Sequence, residues 1–363
     1  MYKRQPLSLL SNGLNIDSKK IILRQADISS SGDIINEEVA INYGFFIEEE
    51  DIELPAYAFG QGCEVRDEDY VDYSDYAGIQ FDSHNPMLSP RYGHAFTADD
   101  NFVYAISGYH YESYINPDGE ADTIRTTLNT IERYNVDQGS WEIFETDNII
   151  PRRYGDAQHS DGFIYVFGGQ TSEEHIGLVE RIDTQNGEVS VIDNPYHVSY
   201  GASAEFEGEI YIWGGQDEVD GEYKNSTYKL NTFTGEWTQL AEYPEFVNSL
   251  EGVAVDEYIY SFGGYGGSGN GVSDEIHRYN IAEDFWEFMG NTDIPVSSHS
   301  VALDYETDNI VITGGYAELT YSAVYDIDNN EYHRIENYDF IGRRHSGSVF
   351  LGETLFTFGA PIN

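Results

Sequence analysis

Residues 163–169 read FIYVFGG, an apolar run of alternating large side chains that stops at two glycines. The chain spells almost the same seven letters again as EIYIWGG at 209–215 and YIYSFGG at 258–264. Weaker copies stand at AYAFGQG (56–62), VYAISGY (103–109), IVITGGY (310–316) and LFTFGA (355–360). The second-glycine position therefore falls at 61, 108, 169, 215, 264, 315 and 360. Such a run is short enough to be one strand, and the glycines supply a sharp stop where the backbone takes positive φ without a Cβ penalty.

A second marker follows each of the first. IERYNVDQGSWEIF (131–144), VERIDTQNGEVSVI (179–192), TYKLNTFTGEWTQL (227–240), IHRYNIAEDFWEFM (276–289) and AVYDIDNNEYHRI (323–335) each read as strand, Asn/Asp/Gly turn, strand. The second strand opens on a large side chain: Trp141, Val189, Trp237, Trp286 or Tyr332. Fainter copies place Ile79 and Ile34 at the same point. Two markers with one period predict a unit of four short strands repeated along the chain.

A repeat of this length and content resembles kelch. The family's motif has an Arg before the first strand, a Gly-Gly pair ending the second, then a Tyr and a Trp. Here it is carried by Arg153, Gly168-Gly169 and Arg181 in one copy, and by Gly263-Gly264, Tyr279 and Trp286 in another. The resemblance implies an all-β fold, a seven-bladed kelch-type β-propeller. Six repeats are expected at 39–90, 91–152, 153–198, 199–246, 247–296 and 297–342. RRHSGSVFLGETLFTFGA (343–360) holds two strands and IILRQADISSSGDII (21–35) two more, so the last blade is expected to be closed by strands from both termini. Each outer-strand Trp is expected to wedge between neighbouring blades. Residues 20–363 are read as one domain and 1–19 as a leader, its first five residues, MYKRQ, foreign to the native protein.

Composition limits function. Asp and Glu number 65 against 18 Lys and Arg, a net charge of −47 over 363 residues, so phosphate neutralisation on a nucleic acid is excluded as a role. Acidity spread so widely fits a surface working in high salt, which screens self-repulsion. No run of apolar residues is long enough for a transmembrane helix, and no membrane insertion is expected. Cys63 is the only cysteine, which excludes an intrachain disulfide. Compartment stays open, with a secreted or cell-surface setting the expectation, and the chain is expected to be a monomer.

In kelch propellers the residues just before the first strand and just after the glycines line one face. Carried over repeat by repeat, the Arg position holds Arg91, Arg153 and Arg344, with Asn42, Ser199, Asn248 and Ser298 in the other repeats. The position after it holds Tyr92, Tyr154, Tyr200, His299 and His345, with Tyr43 and Ser249 elsewhere. After the glycines come Tyr109, Tyr265 and Tyr316, and Gln170 and Gln216 between them. None of these positions is Asp or Glu, in a chain dominated by them. Aromatic faces with polar tips suit a sugar ring or an extended peptide, and Arg suits a carboxylate or sulfate. The expected function is a binding module for a glycan or peptide (protein) ligand. The insertion HYESYINPDGEADTIRTT (110–127) is the expected lid or partner-contact loop.

The enzymatic readings of the family are weaker. Nothing around Cys63 recreates the Tyr–Cys crosslink of the copper oxidases, and no His follows the Glu-x3-Asp-x3 spacing of the iron-dependent specifier proteins. Sialic acid mutarotases remain as the alternative, a sugar-active enzyme whose acid–base residues no motif locates here. Asp326-Ile-Asp328 begins like a calcium loop but lacks its glycine and closing Glu, and reads better as a hairpin turn. No catalytic residue, metal or cofactor is expected.

Overall fold

The computed structural model describes residues 21–23, 45–47, 86–115, 121–172, 177–266, 271–335, 340–352 and 354–359. The chain divides into two compact units, residues 1–81 with 335–337, and 82–334 with 338–363. The boundary falls inside the span expected to be one domain. In the smaller unit the described residues are Ile335 and the strands Ile21–Leu23 and Phe45–Ile47, which pair antiparallel. Closure of the last blade by 21–35, and the repeat expected at 39–90, fall mostly outside the described residues.

The larger unit is built wholly of antiparallel sheet. Five sheets have four strands each, in chain order from one edge to the other. We number them by their first strands: Ala95–Ala98 in blade 1, Arg153–Ser160 in blade 2, Ala202–Phe206 in blade 3, Glu251–Val255 in blade 4 and Ser300–Asp304 in blade 5. A two-stranded sheet, Gly347–Leu351 with Thr354–Phe358, makes blade 6. Each first strand packs against the next, and Gly347–Leu351 packs back against Ala95–Ala98. Six inner strands therefore form a closed cycle among the described residues. The sequence predicted a further blade, from 39–90, between blade 6 and blade 1. That repeat lies mostly outside the described residues, and among the described residues Phe358 of blade 6 touches Phe96 and Trp141 of blade 1 directly.

The repeated letters have the expected physical causes. In FIYVFGG, Ile164, Tyr165, Val166 and Phe167 are all buried, because a propeller sheet is covered on both faces by its neighbours. Asp161 and Gly162 both take positive φ, the two-residue turn that matches strand twist. Gly168 has φ of 61°, and a Cβ there would stand 2.1 Å from the Val198 carbonyl oxygen of blade 3. Gly263 meets Val296 of the following blade in the same way. The second glycine fastens that approach: Gly215 and Gly264 donate to the carbonyls of Val247 and Val296 at 2.7 and 2.8 Å. The Gly-Gly pair is thus a blade-to-blade joint.

The outer-strand tryptophans reach back to the preceding blade, as expected of wedges. Trp237 Nε1 donates to the Asp193 carbonyl of blade 2, and Trp286 Nε1 to Thr227 Oγ1 of blade 3. Asp326 Oδ1 accepts the Asn329 backbone N–H, so this stretch is a hairpin turn.

Candidate functional site

The first strands begin around the axis with a residue at positive φ: Gly93, Tyr154, Tyr200, Ser249, Ser298 and His345. Their backbones are linked head to tail. The N–H of Tyr154 donates to Gly93 O, Tyr200 to Tyr154 O, Ser249 to Tyr200 O, Ser298 to Ser249 O and His345 to Ser298 O, all at 2.7–2.9 Å. This ring fixes the true register of the repeats at the mouth. Tyr92, Arg153, Ser199, Asn248, Ser297 and Arg344 precede it, and Arg91, Arg152 and Arg343 stand one residue further back.

Two sequence expectations are corrected by this register. Arg91 had been aligned with Arg153, but its partners are those of Arg152. Arg91 Nη1 donates to the Ser107 and Thr130 carbonyls, and Nη2 pairs with Glu132. Arg152 donates to the Gly168 carbonyl and pairs with Glu180 at 2.8 Å. Both arginines are shut off from solvent and belong to the blade interiors. His299 had been placed in the mouth, but Ser298 occupies that position. The His299 ring is fully buried, with no hydrogen-bond partner on either nitrogen. A one-residue offset in extended chain turns the side chain to the other face.

The other candidates largely come together. Tyr154 stacks on Tyr200 with ring centroids 4.2 Å apart. The His345 ring lies 5.2 Å from both Tyr92 and Tyr154, and Tyr109 lies 5.7 Å from Tyr154. Backbone pairing puts the two sets on one face: Tyr92 pairs with Tyr109, Arg153 with Gln170 and Asn248 with Tyr265. The Arg153 guanidinium lies 4.3 Å above the Tyr109 ring while its Nε donates to Gln170. Arg344 lies 4.9 Å above the exposed Tyr316 ring, and its Nε is buried without an acceptor. Tyr265 is exposed and packs on Tyr223, apart from this cluster.

The insertion is a β-hairpin, Tyr109–Ile115 with Ala121–Thr127, continuing directly from the mouth. It brings in a residue that repeat alignment could not find. Tyr111 sits 5.7 Å from Tyr109 and 6.4 Å from Tyr92, with Arg125 at 5.7 Å from its ring.

Beneath the ring is a narrow cavity lined by Tyr154, Tyr200, Ser249 and His345 and, two residues beyond Tyr154 and Ser249, by Asp156 and Glu251. Ser203 Oγ donates to Asp156 Oδ2 at 2.6 Å. Burial pushes the Asp156 carboxyl up to about 6. Burial, then the nearby Asp156 charge, pushes Glu251 well above the usual carboxylate range. Burial and mutual repulsion thus favour the protonated form of both carboxyls relative to exposed ones. Burial, then Arg344, lowers His345 to about 4, so its imidazole is neutral. Burial raises Tyr92, Tyr154 and Tyr200, which keep their phenol protons. The mouth thus offers neutral aromatic donors and two guanidiniums above two buried carboxyls.

Residues 181–360 match the KLHDC2/KLHL20/DRC7 Kelch-repeats domain. The chain belongs to the kelch-repeat family. This kelch propeller is also similar to N-acetylneuraminate epimerase 1 of Escherichia coli O6:H1 (strain CFT073), 30% identical over 111 residues. That similarity spans 29% of this chain and 30% of the epimerase. A kelch propeller is an interaction module, which is the coarse function of this chain. No helix among the described residues is long and apolar enough to cross a membrane.

Proposed function

We propose that the mouth binds an acidic glycan, with its sugar ring on the Tyr92, Tyr109, Tyr154, Tyr200 and Tyr111 surface and its anionic group on Arg153 and Arg344. The observation that carries this reading is Arg344 itself. Its Nε is buried with no acceptor, an arrangement that costs free energy until an acceptor arrives. Aromatic rings with polar tips supply the apolar faces that pyranoses stack on. The acidic sugar in the name of the E. coli relative makes N-acetylneuraminate the first ligand to test. A glycan array on the purified chain, run beside an array of peptides with free C-termini, tests the reading. Signal on sialylated or otherwise acidic glycans supports it, while signal confined to peptides replaces glycan by peptide.

A second reading, a sugar-active enzyme resembling the mutarotases, is favoured by one observation. Asp156 and Glu251 line the cavity below the mouth with both carboxyls raised by burial, and an acid–base pair is what exchange of a proton at a sugar ring oxygen requires. Anomerisation of N-acetylneuraminate measured by NMR decides it. Catalysis lost in Asp156→Asn, with ligand binding kept, supports the enzyme. No acceleration over buffer leaves the binding module alone.

A further inference from the structure

Blades 1 and 2 each bury a guanidinium against a third-strand carboxylate, Arg91 with Glu132 and Arg152 with Glu180. Blade 4 has neither partner. In the same register Val247 stands at the arginine position and His277 at the glutamate position. Acid nevertheless gathers there. Glu245 arrives from the connection out of blade 3 and Glu275 from the start of the third strand, Glu275–Asn280. One donor atom each from Glu245, Glu275 and His277 lie within 4.8 Å of one another. Among the described residues no lysine or arginine forms an ion pair with either glutamate.

The imidazole is held for a purpose beyond filling space. His277 is buried, with Nε2 3.2 Å from Glu275 Oε2 and Nδ1 3.2 Å from the Tyr243 hydroxyl. Ser261 Oγ donates to that hydroxyl and accepts from Trp213 Nε1, so the ring is oriented through a chain of fixed partners. Ser273 Oγ donates to Glu245 Oε2 and steadies the second carboxylate. A hydrogen bond from Nε2–H to Glu275 accounts for one contact. It leaves Glu245 facing Glu275 with no positive charge between them.

We propose that Glu245, Glu275 and His277 bind a divalent transition-metal ion of the zinc class, which supplies in blade 4 the positive charge that arginine supplies in blades 1 and 2. One imidazole nitrogen with two carboxylate oxygens is a zinc donor set that leaves a position for water, whereas calcium takes six to eight oxygens. Donors bound tetrahedrally at about 2.1 Å stand roughly 3.4 Å apart. The His277–Glu275 separation already meets this, and the half-buried glutamates close the remainder by side-chain rotation. With the metal on Nε2, the imidazole proton resides on Nδ1 and donates to Tyr243, so the ring stays neutral and no proton is released. The ion ties the connection into blade 4 to that blade's third strand.

The test is calorimetric titration of the full, chelator-stripped chain with ZnCl2, in enough NaCl to screen its diffuse acidity, alongside thermal melts. The expected result is one tight Zn2+ per chain and a raised melting temperature, with Ca2+ giving neither. Glu245→Gln should weaken Zn2+ at least tenfold while melting like the wild type without metal, and His277→Asn should weaken it further. Where His277→Asn fails to fold, the Co2+-loaded chain is read instead. A visible ligand-field band present in the wild type and absent in Glu245→Gln supports the site. The proposal falls if the wild type takes no Zn2+, if both variants bind like the wild type, or if Ca2+ competes equally.

Discussion

Arg91 Nη2 lies 2.5 Å from Glu132 Oε1 with both side chains wholly out of solvent, and Arg152 repeats the pairing with Glu180 in the next blade. A buried pair is costly to form, but removing one partner strands the other charge in the interior. Arg152→Ala or Glu180→Gln should therefore lose about 3 to 5 kcal/mol of unfolding free energy in denaturant titrations. Arg153→Ala, one residue away and facing the mouth, should stay within about 0.5 kcal/mol of the parent. Equal losses at Arg152 and Arg153 would show that the two do not differ in role.

Binding should respond in the opposite sense. Arg153→Ala and Arg344→Ala each remove a charge-assisted contact to an anionic ligand of roughly 1.5 to 3 kcal/mol, which is about tenfold or more in Kd. Trp237 ties blade 3 to blade 2 through the Asp193 carbonyl, away from the mouth. Trp237→Ala should lower the melting temperature and leave ligand preference unchanged. Affinity on the array that ignores both arginines would remove them from the site.

Acid should destabilise this propeller through its buried histidines. Burial lowers His94 and His299 to about 3, against the ordinary 6.5. Between these values the unfolded chain binds protons that the native chain refuses, so stability falls as pH drops from about 6.5 towards 3. His299→Leu should lessen that fall, its advantage over the parent growing as pH decreases. Asp156 works against this trend. Its raised value means the native state loses stability as pH rises from about 4 through 6, and Asp156→Asn should remove that loss. Parallel stability–pH curves for His299→Leu and the parent would sink the argument.

Blade 6 has two described strands, Gly347–Leu351 and Thr354–Phe358. Residues 21–35 are expected to supply the outer strands. Removing them would leave an unpaired edge that invites association with other chains, so deletion of residues 1–37 should lower the melting temperature and raise aggregation. A deletion variant that remains monomeric with an unchanged midpoint in light scattering would refute closure by the N-terminal segment.

The charge of −47 makes salt a stabiliser. Like charges on a closed ring repel at low ionic strength, and screening weakens that repulsion. The melting temperature should rise from dilute buffer to seawater salinity. A flat profile in differential scanning calorimetry would detach the acidity from salt adaptation.

Local rules wrote the parts of this protein that could be read from its letters. Gly168 and Gly263 are required by a neighbouring carbonyl that leaves no room for a Cβ, Asp161-Gly162 by a two-residue turn, and Trp237 and Trp286 by the gap between blades. Each acts within one repeat and recurs in the next, so period alone exposes it. What the period could not carry was register at the mouth and proximity across blades. Arg91 and Arg153 align by the same Arg-Tyr-Gly letters, yet the ring of positive-φ residues sets them one position apart and so sends one inward and the other to the mouth. The same holds for His299 against Ser298. Asp156 and Glu251 lie far apart along the chain and share a cavity only because the blades pack round an axis, while Glu245 meets His277 because the connection into blade 4 runs back past that blade's third strand. Repeats can be counted along a chain, but which first strand lies against Gly347–Leu351 is decided by packing.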